Sequence, residues 1–150
     1  MNWQKLYNPI VMWLLRSPLH SLVDKNTMLI TVTGRKTGKS YTFPVSYIRD
    51  GETLLVNSQR NRTWWKNLRD GAPVTIFLQG HVWSARGETF TNTGMAAKIL
   101  LMILQRMLTY QRLLHVKLDV SGQPENPEAL QRLAQGYVIV RLWDMAELAA

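Results

Sequence analysis

Seven consecutive residues, Gly34-Arg35-Lys36-Thr37-Gly38-Lys39-Ser40, place three cations and two hydroxyls around a pair of glycines. Such a turn can hold an anion. Glycines reach the left-handed dihedrals that let backbone N–H groups converge on one point, and the side-chain charges and hydroxyls reinforce them. The turn is not a Walker loop. That motif has four residues between its first glycine and the Gly-Lys pair and opens a helix. Here three residues intervene, and Tyr41-Thr42-Phe43-Pro44-Val45 reads as strand. Taken alone, the same seven residues fit a solvated basic hairpin turn at least as well.

The charge balance adds to the anion reading. The chain carries a net charge of +8, which points to an anionic partner. Residues 34–69 hold eight of the Lys and Arg residues (Arg35, Lys36, Lys39, Arg49, Arg60, Arg62, Lys66, Arg69) against Asp50 and Glu52, so +6 of the +8 falls there. An excess that local favours a defined site over a diffuse solubilising charge. There is no cysteine, which excludes disulfides and Cys-based metal centres and makes the reducing cytoplasm the expected compartment. His20, His81 and His115 lie far apart in sequence, so no metal site is expected. No Ser-His-Asp arrangement and no close carboxylate pair appears. That pattern suits an enzyme whose cofactor carries the chemistry while the protein supplies position and electrostatics.

The elements that must position these residues follow from hydropathy and turn signals. Residues 3–23 read as helix divided by Pro9 and Pro18. Strands are expected at 28–33, 41–49, 53–57, 73–78, 81–90 and 137–143. Gly34, Asp50-Gly51 and Gln79-Gly80 supply the turns. Pro44 marks its strand as an edge or a bulge. Helices are expected at 62–69, 94–116 and 124–135. Hairpin connections imply antiparallel pairing, and six short antiparallel strands can close on themselves to hide their edges. The expectation is one α+β domain over residues 1–150: a split β-barrel of about six mainly antiparallel strands over about 27–143, with flanking helices. No apolar run approaches the ~20 residues needed to span a bilayer.

Residues 29–69 resemble the deazaflavin-dependent nitroreductase family. The resemblance lies in Thr31-Val32-Thr33-Gly34-Arg35-Lys36-Thr37-Gly38, then Pro44, Arg49-Asp50-Gly51, the strand into Asn57-Ser58, and Trp64-Trp65-Lys66-Asn67-Leu68. The resemblance implies a split barrel that uses the reduced 8-hydroxy-5-deazaflavin coenzyme (cofactor F-420). By it, Arg35, Lys36, Thr37, Gly38, Lys39, Tyr41 and Pro44 would hold the cofactor phosphate. Asn57, Ser58, Gln59 and Arg60 would face the ring, with Trp64 and Trp65 beside it. The chain departs from the family at two places. Tyr41 stands where members often have arginine, and Ser58-Gln59-Arg60-Asn61 stands where they often have Ser-Lys-Gly-Gly. FMN, which related split barrels bind, is therefore the alternative cofactor.

The expected activity is hydride transfer to a flat, electron-poor acceptor such as a quinone or a nitroaromatic compound. Ser58 and Tyr110 are the candidates to hydrogen-bond that acceptor. Tryptophans on a short helix over a barrel are more often core than ligand contacts. The 94–116 segment has a wide apolar face and no acidic residue. It reads as a helix packed on the barrel or in a homodimer, or as a lid touching the inner face of a membrane. A nucleic-acid-binding module is the alternative of another class, and no recognition-helix, RRM-type or KH-type motif supports it.

Overall fold

The computed structural model describes residues 27–148, and the expected N-terminal helices at 3–23 lie outside the described residues. Seven strands form one antiparallel sheet: β1 (Thr27–Thr33), β2 (Ser40–Ser46), β3 (Ile48–Asp50), β4 (Thr53–Gln59), β5 (Ala72–Leu78), β6 (His81–Phe90) and β7 (Tyr137–Glu147). Their order is β2-β1-β5-β6-β7-β4-β3. The two edges of the sheet, β2 and β3, are consecutive in sequence and separated only by Tyr47. In a flat sheet six inter-strand steps of about 4.8 Å would hold them roughly 29 Å apart. Two Cα steps of about 3.8 Å allow no more than about 8 Å between Ser46 and Ile48. The sheet must therefore curl almost into a cylinder, and it does so as a split barrel.

One expected strand, 41–49, thus becomes two. The chain leaves the β1 edge after Ser46 and joins β4 at Ile48, with the register Ile48↔Leu55. This adds the seventh strand to the expected six. Pro44 lies on the edge strand, paired with Leu29, where its missing N–H costs the ladder least.

The barrel interior is filled by Met28, Ile30, Val32, Leu54, Val56, Val74, Ile76, Val138, Val140 and Leu142. The opposite face of β4 and β7 presents Leu55 and Ile139 to a second apolar cluster. Helix α1 (Thr93–Arg106) covers that face with Ala96, Ala97, Ile99, Leu100, Ile103 and Leu104. Leu100 and Leu104 are fully buried, so truncating either to alanine should cost about 2–5 kcal/mol. Asn92 caps α1, its side chain accepting from the Met95 N–H at 3.1 Å.

The expected continuous helix 94–116 is two helices. The chain is extended at Met107 (φ −130°, ψ 96°) and resumes as α2 (Leu108–Leu114), which ends at His115 in the left-handed region. Side chains fix the break. Gln111 Nε2 donates to the Leu104 carbonyl at 2.9 Å, and Arg106 donates to the Arg49 carbonyl. Helix α3 (Pro127–Ala134) starts three residues later than expected, because Asn126 is its cap and Pro127 its first residue. A 3-10 helix, Trp64–Leu68, replaces the expected short helix at 62–69.

Candidate functional site

The loop between β1 and β2 closes through Gly34 N–H to Lys39 O (2.8 Å) and Gly38 N–H to Gly34 O (2.9 Å). Gly38 has φ +69°. A Cβ on Gly34 would lie 2.8 Å from Thr37 Oγ1 and 3.0 Å from the Tyr41 ring, so both glycines are required by the turn. Thr37 Oγ1 accepts from the Lys39 N–H at 3.2 Å.

This turn faces the 3-10 helix across a cleft of about 1030 Å³. Among the described residues, five cationic ones line the cleft (Arg35, Lys36, Arg62, Lys66 and Arg69), and no carboxylate does. The ammonium of Lys66 and the guanidinium of Arg69 sit 5.8 Å and 5.5 Å from the Trp65 ring centre, a geometry that steadies both heads. Arg35 is the most engaged of the five. Its Nη1 donates to Lys66 O at 3.2 Å and its Nη2 to Asp70 Oδ2 at 3.1 Å.

A second cavity, of about 270 Å³, runs along the split of the barrel. One wall is β2 from Phe43 to Ser46, and the other is β4 from Leu55 to Gln59. Among the described residues, β2 pairs only with β1, and β3 covers β4 only as far as Leu55. Two strand edges therefore face each other without a ladder between them. Backbone N–H and C=O groups are obligatory hydrogen-bonding groups, so a flat ligand with donors and acceptors on its rim can occupy the slot. The roof is α1 and α2, through Ile103, Met107, Tyr110, Leu113 and Leu114. Phe43, Arg62 and Trp64 line both cavities. The Phe43 and Trp64 rings pack edge to face at 5.2 Å.

The expected site residues distribute unevenly. Arg35, Lys36, Thr37 and Tyr41 line the cleft; Pro44, Asn57, Ser58, Gln59 and Tyr110 line the slot; Trp64 lines both. Gly38 and Lys39 belong to the turn but not to the cleft wall. Trp65 is buried in the core and its indole N–H donates to Arg60 O at 3.3 Å. Arg60 borders a separate surface recess. Its guanidinium donates to the carbonyls of Gln135 (3.1 Å), Thr91 (2.8 Å) and Tyr137 (3.2 Å). Ser58 is buried, its hydroxyl donating to Gln59 O at 3.2 Å. Tyr47, at the strand switch, lies on the slot. Burial pushes its phenol above the ordinary tyrosine range, against the opposing pull of Arg49 and a hydrogen bond with Gln79.

Sequence reasoning did not single out Asn61, Thr63 or Asn67 for the site, and it counted Lys66 and Arg69 only as charge. The local cationic excess was the signal that pointed to this stretch.

A curled antiparallel sheet whose split carries a cationic cleft and a narrower slot between strand edges defines a split β-barrel protein. The chain belongs to the F420H(2)-dependent quinone reductase family, whose model matches residues 18–111. Solved structures agree on the fold. An FAD and heme binding protein from Mycobacterium smegmatis is similar at 15% identity and TM-score 0.52, over 85% of this chain and 65% of that one. The flavocytochrome Anf3 from Azotobacter vinelandii is similar at 8% identity and TM-score 0.54, over 87% and 65%. A conserved hypothetical protein from Mycobacterium tuberculosis is similar at 12% identity and TM-score 0.52, over 83% and 81%. The chain thus spans 65% of the length of each of the first two. No curated protein matches it.

Proposed function

We propose that the protein is an oxidoreductase that moves a hydride from reduced 8-hydroxy-5-deazaflavin coenzyme to a quinone-like or nitroaromatic acceptor in the cytoplasm. One observation carries the reading. Among the described residues, a cleft lined by five cations and no carboxylate adjoins a slot between two strand edges with no ladder between them, and Phe43, Arg62 and Trp64 belong to both. That juxtaposition fits a molecule with an anionic tail and a flat ring. The donor set fits the tail: lysines, arginines and a turn of backbone N–H groups suit phosphate and carboxylate oxygens. The slot fits the ring, with aromatic side chains at one end and backbone groups along its walls.

In this reading Lys36, Thr37 and Tyr41 hold the phosphate, on a turn shaped by Gly34, Gly38, Lys39 and Arg35. Pro44, Asn57, Ser58 and Gln59 flank the ring, with Trp64 across its junction with the tail. Arg60 and Trp65 support that wall from behind. When bound, the reduced coenzyme supplies the hydride. The protein orients the acceptor through the Ser58 hydroxyl and Tyr110, and it excludes water with the roof of α1 and α2. Among the described residues, no helix is long and apolar enough to cross a membrane. An apolar acceptor would reach the slot past Leu108 and Leu113 at the outer face of α2, exposed by 60% and 67%.

The test is oxidation of reduced deazaflavin coenzyme by menadione or a nitroaromatic compound, followed by absorbance. The protein is expected to support turnover, and NADPH alone is not. Tight stoichiometric FMN with no deazaflavin binding would overturn the reading in favour of an FMN-dependent oxidoreductase.

A further inference from the structure

The turn that holds the cations and the 3-10 helix opposite it are held together by side chains. The backbone bonds of the turn are internal, Gly34 to Lys39 and Gly38 to Gly34. Across the cleft, Arg35 N–H donates to Asn67 Oδ1 at 3.0 Å, and the Asn67 amide in turn donates through Nδ2 to the Trp64 carbonyl at 3.1 Å. One side chain therefore uses its acceptor on the turn and its donor on the residue that borders both cavities. Asp70 and the Lys66 carbonyl take the Arg35 guanidinium, which offsets that charge locally. Lys36, Arg62, Lys66 and Arg69 remain as the cations without a carboxylate partner among the described residues.

We propose that Asn67 is a positioning residue for anion binding: it holds the Gly34–Gly38 turn and Trp64 in one register and acts through both. The inference rests on the anion reading of the cleft. With Arg35 N–H committed to Asn67, the Lys36 and Thr37 N–H groups are the ones the turn has left to offer an anion, since neither has a backbone partner among the described residues. Their direction depends on where Arg35 is pinned. The contact is largely solvent-exposed, so its loss should barely change global stability. A displacement of the turn by about 1 Å is enough to weaken ligand binding strongly. A residue that merely stabilised the fold would show the opposite pattern.

The test uses the 15N-labelled full chain and inorganic phosphate as the probe. Amide exchange is read at Arg35 in ligand-free protein, and phosphate titration is read at the Lys36 and Thr37 amides. Asn67→Ala is expected to speed Arg35 exchange by about tenfold, to raise the phosphate Kd by about tenfold, and to move Tm by less than about 2 °C. Asn67→Asp keeps the acceptor and should restore slow exchange at Arg35; its added charge disqualifies it from the phosphate arm. An Arg35 amide already unprotected in the parent, or an Asn67→Ala protein that binds phosphate as the parent does, overturns the inference. Parent Lys36 and Thr37 amides that ignore phosphate overturn it too. If the parent turns over reduced coenzyme and Asn67→Ala leaves phosphate affinity unchanged, the inference falls and the proposed function stands. If phosphate affinity drops as expected but no deazaflavin is used, the reverse holds.

Discussion

The cleft and the slot are neighbours built on different physical terms. The cleft is fixed by directional bonds. Its turn closes on its own backbone, and Arg35 is tied at two points to the 3-10 helix and at a third to Asp70 just beyond it. The slot is floored by strands in a dense core but roofed in part by α2, a seven-residue helix with no buried residue. That helix hangs between an extended Met107 and a left-handed His115. The contrast separates two tasks. On the proposed function, an anion of fixed shape would be held by groups set in advance, which lowers the cost of ordering on binding. On the same reading, an acceptor of variable shape would be met by leucines and a tyrosine on a wall with few contacts to lose, the kind of element that moves most easily.

Substitutions can break that contrast, beginning with the cleft. Gly34→Val drives a branched side chain into Thr37 and Tyr41, where even a Cβ would sit at 2.8 Å and 3.0 Å. Coenzyme binding should fall by more than about 100-fold, with about 1–3 kcal/mol of stability lost to overpacking. Calorimetric titration checks the first and urea unfolding the second. Lys36→Ala should weaken coenzyme binding by about 1–3 kcal/mol, the scale of a charge-assisted hydrogen bond, and flatten its salt dependence while leaving Tm in place. Unchanged affinity and unchanged salt dependence would remove the turn from the site.

Changes at the slot should be smaller. Tyr47 is buried at its floor, and burial raises its phenol pKa. The unfolded chain therefore ionises first as pH rises, and the stability held below the ordinary tyrosine pKa of about 10 is lost as pH climbs toward the folded value. Tyr47→Phe should cost about 0.5–1.5 kcal/mol at neutral pH for its hydrogen bond. It should also remove part of the alkaline loss, measured by urea unfolding between about pH 8 and 11. Leu113→Ser, on the exposed roof, should change stability by less than about 0.5 kcal/mol. It should raise the KM for an apolar acceptor a few-fold and leave coenzyme affinity alone. An equal effect on both ligands would mean that roof and cleft act as one unit.

Local signals in the sequence revealed the barrel better than they revealed the contacts within the site. Alternation and turn residues mark β1, β4, β5 and β6 within a few residues, and Pro44 correctly marks an edge. The break at Tyr47 left no local trace, because it arises from the closure of the sheet between strands far apart in sequence. The break at Met107 is similar. Residues 94–116 contain no proline after Gly94, and the interruption is set by Arg106 reaching Arg49 and Gln111 reaching Leu104. The cationic, glycine-bracketed character of the turn was legible, whereas the engagement of Arg35 by residues 31 to 35 positions away was not. Arg60 looked like a ligand cation by its place after Ser58, yet its guanidinium is held by three carbonyls from the β6–α1 and α3–β7 connections and the start of β7. A charge in a sequence does not show whether its partner is already within the fold.

The most direct measurement compares binding of the oxidised deazaflavin coenzyme with binding of its chromophore lacking the phosphate and acidic tail, by fluorescence at rising salt. If the cleft holds the tail and the slot holds the ring, the intact coenzyme should bind at least about tenfold tighter at low ionic strength. That advantage should shrink as salt screens the cleft beyond a Debye length of about 10 Å near 0.1 M. Equal binding of the two molecules, indifferent to salt, would contradict the division of the site into a cationic cleft for the tail and a slot for the ring.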